Sequence, residues 1–210
     1  MRKQLLEIAH RFAADNLSPG TSGNISAREP DGRTFWITPS GMDFSQLLEA
    51  DLVEIDVASG SIASGNRVPS SEVPLHVLTY QRRPDVKGIV HAHSLFAAVF
   101  STLNRPIKAV HYQIARVGDE VPVADYATYG TDELADRATN ALGQGNAVLL
   151  KNHGLIAVGN SIRDAYRNAL DVEWVAHLYF LGLQIGEPDV LTHEELERVR
   201  DQFKDYGQKF

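Results

Sequence analysis

Apolar and polar positions along this chain follow two periods, and each change of period marks an element. Leu5, Ile8, Ala9 and Phe12 recur at helical spacing, so residues 2–15 predict an amphipathic first helix. Asn16-Leu17-Ser18-Pro19-Gly20 ends it, because proline and glycine close together resist helix continuation. Thr34-Phe35-Trp36-Ile37 is β-branched and aromatic, and predicts a strand stopped by the turn signal Pro39-Ser40-Gly41. Residues 52–57 alternate apolar with acidic, as a half-exposed strand does. Ser70-Ser71-Glu72 reads as the start of a helix whose apolar face carries Val73, Val77 and Tyr80, with Pro84 past its end. Gly88-Ile89-Val90 runs into His91-Ala92-His93 as a buried strand, and residues 95–103 have the length and apolarity of a helix. Two apolar runs, 147–150 and 155–158, flank Lys151-Asn152-His153-Gly154 and predict short strands joined by a tight turn. Residues 162–181 form the longest helical segment. In the last helix Thr192 and Glu195 make a capping box, with Leu191 and Leu196 placed as a hydrophobic staple.

Helices and strands therefore mix throughout, and no repeat or low-complexity segment divides them. Some neighbouring strands are too close in sequence for parallel crossovers, which predicts a mainly antiparallel or mixed sheet. The expectation is one α/β domain spanning residues 1–210. Composition narrows the function. The absence of cysteine excludes a disulfide scaffold, a Cys-ligated zinc site, an iron–sulfur cluster and a thiol nucleophile. The formal charge of −7, from 27 acidic and 20 basic residues, argues against nucleic acid or an anionic membrane as main partner. No apolar run approaches the ~18 residues of a membrane span. The first residues carry charges where a signal peptide needs apolar continuity, so a soluble cytoplasmic protein is expected.

Candidate chemistry begins with His91 and His93. On a strand, residues i and i+2 share a face, so the two imidazoles can converge on one metal ion. His153, in a turn beside Gly154, supplies a third nitrogen and leaves a position open for water or substrate. Alone, each of these is read as an ordinary core or loop histidine. Glu72, at a helix start, is the candidate carboxylate, either a first-turn glutamate or a general base and labile fourth ligand. Three segments offer hydroxyls and flexible backbone N–H groups for an anion: Gly20-Thr21-Ser22-Gly23-Asn24, Thr38-Pro39-Ser40-Gly41 and Pro69-Ser70-Ser71. The plain reading of each is a turn. His76, four residues after Glu72, is placed to hydrogen-bond to it. His10, His177 and His193 have no partner pattern. Trp36, Trp174 and Tyr112 are simplest as core residues.

In order, the segments GTSGNIS, ITPSG, PSSE, HAHS, IKAVHY, YATYGT, NHGLIA and FKDYG resemble the class II aldolase/adducin family, closest to its L-fuculose-1-phosphate aldolase branch. The resemblance runs from about residue 2 to residue 207. It implies a three-layer α/β/α fold around a mainly antiparallel sheet, and a C4 homotetramer with active sites between subunits. It implies that His91, His93 and His153 bind Zn2+ and that Glu72 ligates the ion and then acts as base. Thr21, Gly23, Asn24, Ser40, Gly41, Ser70 and Ser71 match phosphate-binding positions. Tyr112 matches a proton donor lent by a neighbouring subunit, and Tyr129 and Tyr206 match residues on the aldehyde side. The implied reaction is cleavage of a ketose 1-phosphate to dihydroxyacetone phosphate and an aldehyde. Lys151-Asn152 stands where the fuculose branch commonly has Gln-His, and Tyr129 where it often has phenylalanine. L-fuculose 1-phosphate, 5-deoxyribulose 1-phosphate and 5-methylthioribulose 1-phosphate therefore all stay open as substrates. Related epimerase, dehydratase and decarboxylase activities, or a non-catalytic adducin-like module, are the alternatives.

Overall fold

The computed structural model describes residues 1–205. Its eight-stranded sheet runs β4-β3-β2-β1-β5-β10-β9-β8. The strands are β1 (Asn24–Arg28), β2 (Thr34–Ile37), β3 (Val53–Asp56), β4 (Ile62–Ser64), β5 (Gly88–Ala92), β8 (Val123–Ala124), β9 (Ala147–Leu150) and β10 (Gly154–Gly159). Every pairing is antiparallel except that of β8 with β9. A separate ribbon joins β6 (Ile107–Lys108) to β7 (Glu120–Val121).

Helices cover both faces. On one lie α1 (Arg2–Ala14), α3 (Leu95–Thr102), α5 (Ile162–Leu183) and α6 (His193–Asp205), packed over Ile25, Ala27, Val90, Ala92, Leu155 and Ala157. On the other lie α2 (Val73–Arg82) and α4 (Asp132–Leu142), over Ile37, Ile89, Ile156 and Val158. Strand residues thus divide between two cores by their period of two. This is the three-layer α/β/α arrangement that the resemblance implies. No helix among the described residues is long and apolar enough to cross a membrane.

The predicted elements recur with shifts of a residue or two at their ends. Glu195 donates its backbone N–H to Thr192 Oγ1 at 3.3 Å, as the capping box requires, and Leu196 is buried. β1, β4, β6, β7, β8 and α4 are additions to the predicted set. α2 differs in part of its face: Tyr80 is buried as expected, but Leu75, His76 and Thr79 are buried beside it, while Val73 and Val77 are only partly covered. Polar His76 and Tyr80 turn inward because β1 supplies hydrogen-bond partners for both. Trp174 is 46% exposed, so it is a surface residue of α5 and not a core one. Tyr112 is likewise half-exposed.

Candidate metal centre

The centre forms where β1, β5 and the β9–β10 hairpin end together, beside the N-terminus of α2. His91 alternates with Val90 and Ala92 and so faces the α2 side of the sheet. His93 stands just past β5. Its backbone N–H donates to Ser18 Oγ at 2.7 Å, in the turn after α1. The helix that follows is pinned as well, because Glu173 of α5 accepts from the N–H groups of Phe96 and Ala97 at 2.9 Å each. His153 comes from the hairpin turn, where Asn152 takes a left-handed φ of 55°. The turn lies close against His93 because residue 154 is glycine. A Cβ there would stand 2.5 Å from the Ala92 carbonyl oxygen and 2.9 Å from His93 Cδ2. Gly23 combines a φ of 81° with a similar approach, its Cβ position lying 2.6 Å from the His91 carbonyl oxygen.

The ligating nitrogens of His91, His93 and His153 all lie within 4.8 Å of one another. His91 Nδ1–H donates to the Leu155 carbonyl at 3.0 Å, which fixes its tautomer and leaves Nε2 for the centre. That nitrogen faces His93 Nε2 at 3.0 Å and Glu72 Oε2 at 2.9 Å. Glu72 Oε1 is buried without a hydrogen-bond partner, 3.6 Å from His153 Nε2.

Four lone-pair groups turned on one another repel unless a cation stands among them. Without metal, the surroundings of His91 favour a proton there. Burial disfavours its charge, but the charge and hydrogen bond of Glu72 and the Leu155 carbonyl raise its pKa. Glu72 mirrors this: burial favours the neutral acid, yet His91 and His153 together with the Asn24 amide hold the carboxyl far below the usual range. Burial and the neighbouring His91 charge lower His93 to about 3 and His153 to about 4, so both present neutral nitrogens. Three imidazoles and a carboxylate are a donor set that suits a four-coordinate divalent ion, and the unpartnered Oε1 is the atom such an ion would satisfy.

A cavity of about 330 Å³ opens on the cluster, lined by Glu72, His93, Tyr126, Ala127, Tyr129, Asn152 and His153. Tyr129 was expected there. Tyr126 was not singled out, although it belongs to the same YATYGT segment. Tyr112 does not line this cavity; it borders another with Gln113 and Arg116. Tyr206 lies outside the described residues.

Among the phosphate candidates, a bridge between Pro39 and Pro69 and the Ser40 N–H donating to Val68 O at 3.0 Å bring two of the three loops together. The side chains of Thr21, Ser40 and Ser71 are exposed, and Gly41 has a φ of 67° with open space around it. Ser70 is buried and its Oγ accepts from the Glu72 N–H at 3.2 Å, which leaves its own proton to donate. Asn24 behaves differently. Its amide is 3% exposed, and it donates Nδ2–H to Glu72 Oε2 at 2.9 Å while Oδ1 meets His76 Nε2 at 2.5 Å. His76 therefore reaches Glu72 through Asn24 and not directly.

The sequence profile of the Class II Aldolase and Adducin N-terminal domain matches residues 3–180. A 5-methylthioribulose-1-phosphate/5-deoxyribulose-1-phosphate aldolase of Rhodospirillum rubrum is 41% identical over 208 residues, covering 99% of this chain and 92% of the relative. An L-fuculose phosphate aldolase of Escherichia coli O6:H1 is 40% identical over 209 residues, covering 99% and 95%. Among solved structures, an L-fuculose 1-phosphate aldolase superposes with a TM-score of 0.93 at 40% identity, covering 97% of this chain and 95% of that one.

Proposed function

This chain belongs to the class II aldolase and adducin family, and on that premise we propose that it is a single-domain, cytoplasmic, zinc-dependent aldolase that cleaves a ketose 1-phosphate to dihydroxyacetone phosphate and an aldehyde. The observation that carries the reading is the convergence of His91, His93, His153 and an unpartnered Glu72 oxygen at one end of the sheet. Full-length relatives named as aldolases for three ketose phosphates support the substrate class.

His91, His93, His153 and Glu72 would hold the ion. When bound, it supplies a Lewis acid that polarises the ketose carbonyl and offsets the charge that develops as the carbon–carbon bond breaks. The chain's own residues do the rest. Hydroxyl, amide and N–H donors of Thr21, Gly23, Asn24, Ser40, Gly41, Ser70 and Ser71 hold the phosphate and fix the sugar's orientation without touching the scissile bond. Because the protein is net negative, these local donors and not its overall field attract the anion. Cleavage needs one proton removed from the C4 hydroxyl and one delivered to C3. The C3–C4 electron pair stays with the three-carbon fragment and the aldehyde leaves. Glu72 and Tyr112 divide these two transfers. Tyr126 and Tyr129 line the aldehyde side.

Tyr112 points to the assembly. It is exposed and borders a different cavity, so it reaches a centre only when a neighbouring subunit brings it there. Trp174, Leu178 and Leu181 make an exposed apolar stripe on α5, and the Trp174 ring packs on His111, next in sequence to Tyr112. Such a stripe marks an interface. A C4 homotetramer whose subunits exchange Tyr112 is consistent with both.

The test is release of dihydroxyacetone phosphate from L-fuculose 1-phosphate, 5-deoxyribulose 1-phosphate and 5-methylthioribulose 1-phosphate, with and without a chelator. Chelator-sensitive release from any of them supports the reading, and the fastest substrate identifies the aldehyde. No release from zinc-loaded protein shifts the assignment to the epimerase, dehydratase or decarboxylase branch.

A further inference from the structure

α2 and β1 meet through five polar side chains that are almost wholly removed from water. Glu72, His76 and Tyr80 lie at four-residue spacing on one face of α2 and its N-cap, and Asn24 and Ser26 lie two apart on the facing side of β1. They interdigitate. Tyr80 OH meets Ser26 Oγ at 2.8 Å and Ser26 Oγ meets His76 Nδ1 at 2.6 Å. His76 Nε2 meets Asn24 Oδ1 at 2.5 Å, and Asn24 Nδ2 meets Glu72 Oε2 at 2.9 Å.

The charge at one end sets every proton in the string. An ionised carboxylate only accepts, so Asn24 must present its NH2 to Glu72. Its carbonyl then faces His76, which must donate from Nε2. Burial, with the charge of His91, lowers His76 to about 3, so the ring is neutral and carries one N–H. Nδ1 is therefore an acceptor and takes the Ser26 hydroxyl proton, and Ser26 in turn accepts from Tyr80. All four donors run towards Glu72.

Glu72 itself does not cap its own helix, since its side chain makes no capping bond. Asn24 holds Oε2 instead and leaves Oε1 unpartnered beside His153. We infer that His76, backed by Ser26 and Tyr80, is a positioning residue for Glu72: it fixes the Asn24 amide so that its NH2 and not its oxygen faces the carboxylate, which anchors Oε2 and frees Oε1 for the ion and the proton. The inference rests on the aldolase reading for the role of Glu72. It also assigns Asn24 a contact beyond the phosphate site.

The test uses the full-length protein loaded with cobalt(II), whose visible absorption reports its ligands, and compares His76→Phe, His76→Gln and Glu72→Gln with wild type. Phenylalanine keeps the ring packing against Phe35 but removes both nitrogens. Glutamine retains an amide N–H for Asn24. In folded His76→Phe, kcat falls about 10–100-fold, the usual effect of losing a partner behind a ligand, while KM is unmoved. Its cobalt spectrum shifts towards that of Glu72→Gln, and His76→Gln recovers most of both. Wild-type kcat and spectrum in His76→Phe overturn the inference, as does a glutamine variant no better than phenylalanine. Should His76→Phe not fold by circular dichroism, His76→Asn, polar but too short to reach Asn24, replaces it under the same criteria. If the wild type cleaves no ketose phosphate, the functional reading falls, and the cobalt spectra alone decide whether His76 orients Glu72.

Discussion

Glu72 shows how far one side chain depends on its neighbours. At the start of a helix an exposed glutamate gains a little from the backbone dipole; here the same position is buried, tied by Asn24 and set between two histidines. Glu72→Gln keeps the volume and removes the charge, so the fold should persist while turnover drops about 10²–10⁴-fold, the range that a general base contributes. Steady-state kinetics beside a thermal melt measures both, and wild-type turnover would remove Glu72 from the mechanism.

His76 makes a second prediction at this scale. Burial holds its pKa at about 3, below the usual histidine value of 6.5, so the unfolded chain takes up a proton first on acidification. Its contribution is complete above pH 6.5 and is lost as pH falls towards 3. His93 and His153 are lowered too and act in the same direction. His91 is raised, and its contribution is lost only as pH rises through its folded value. Glu72, lowered from 4.5, adds losses only at more acid pH. The urea midpoint of chelated protein should therefore fall between about pH 7.5 and about pH 5. A flat or rising midpoint contradicts this. The histidines themselves were legible from spacing. The Asn24–His76 link was not, because a helix and a strand residue 52 positions apart meet only in three dimensions.

At the scale of elements, the centre is a meeting of strand ends. The tight β9–β10 turn was readable from its flanking apolar runs, and the buried run 88–93 from its composition. What they did not reveal is that Gly154 lets the hairpin turn lie against His93. Gly154→Ala drives a methyl into the Ala92 carbonyl and the His93 ring, so it should cost about 1–3 kcal/mol as overpacking does, and weaken metal binding because His153 moves with the turn. Urea melts and competition with a chelating dye measure the two effects; unchanged values in both would mean that the hairpin relaxes freely. The face of α2 was misjudged for a physical reason. Periodicity counts apolar residues, so it placed Tyr80 correctly but missed His76 and Thr79, which this helix buries because hydrogen bonds within the fold satisfy them. β1 escaped prediction for a related reason, since Asn24 and Ser26, which alternate with Ile25 and Ala27, read as turn formers and yet are buried in the same network.

For the whole molecule, the exposed residues carry the information that the cores do not. Trp174 looked like core in the sequence because hydrophobic pattern does not separate a buried position from an apolar one left on the surface. On the proposed tetramer, Trp174→Glu puts a charge in the α5 stripe, and the expected result is a smaller species by light scattering, with kcat lost because the proposed exchange of Tyr112 fails. An unchanged mass would show that α5 is not where the subunits meet. The three-layer fold itself was implied by motifs spread along nearly the whole chain, and the division of strand residues between two cores agrees with it.

The most direct test of the account is to strip the protein of metal and titrate zinc back while following ketose 1-phosphate cleavage. The stripped protein should be inactive, and activity should return linearly with a break at one zinc per chain, with no return in His93→Ala. Full activity in demonstrably metal-free protein would contradict this.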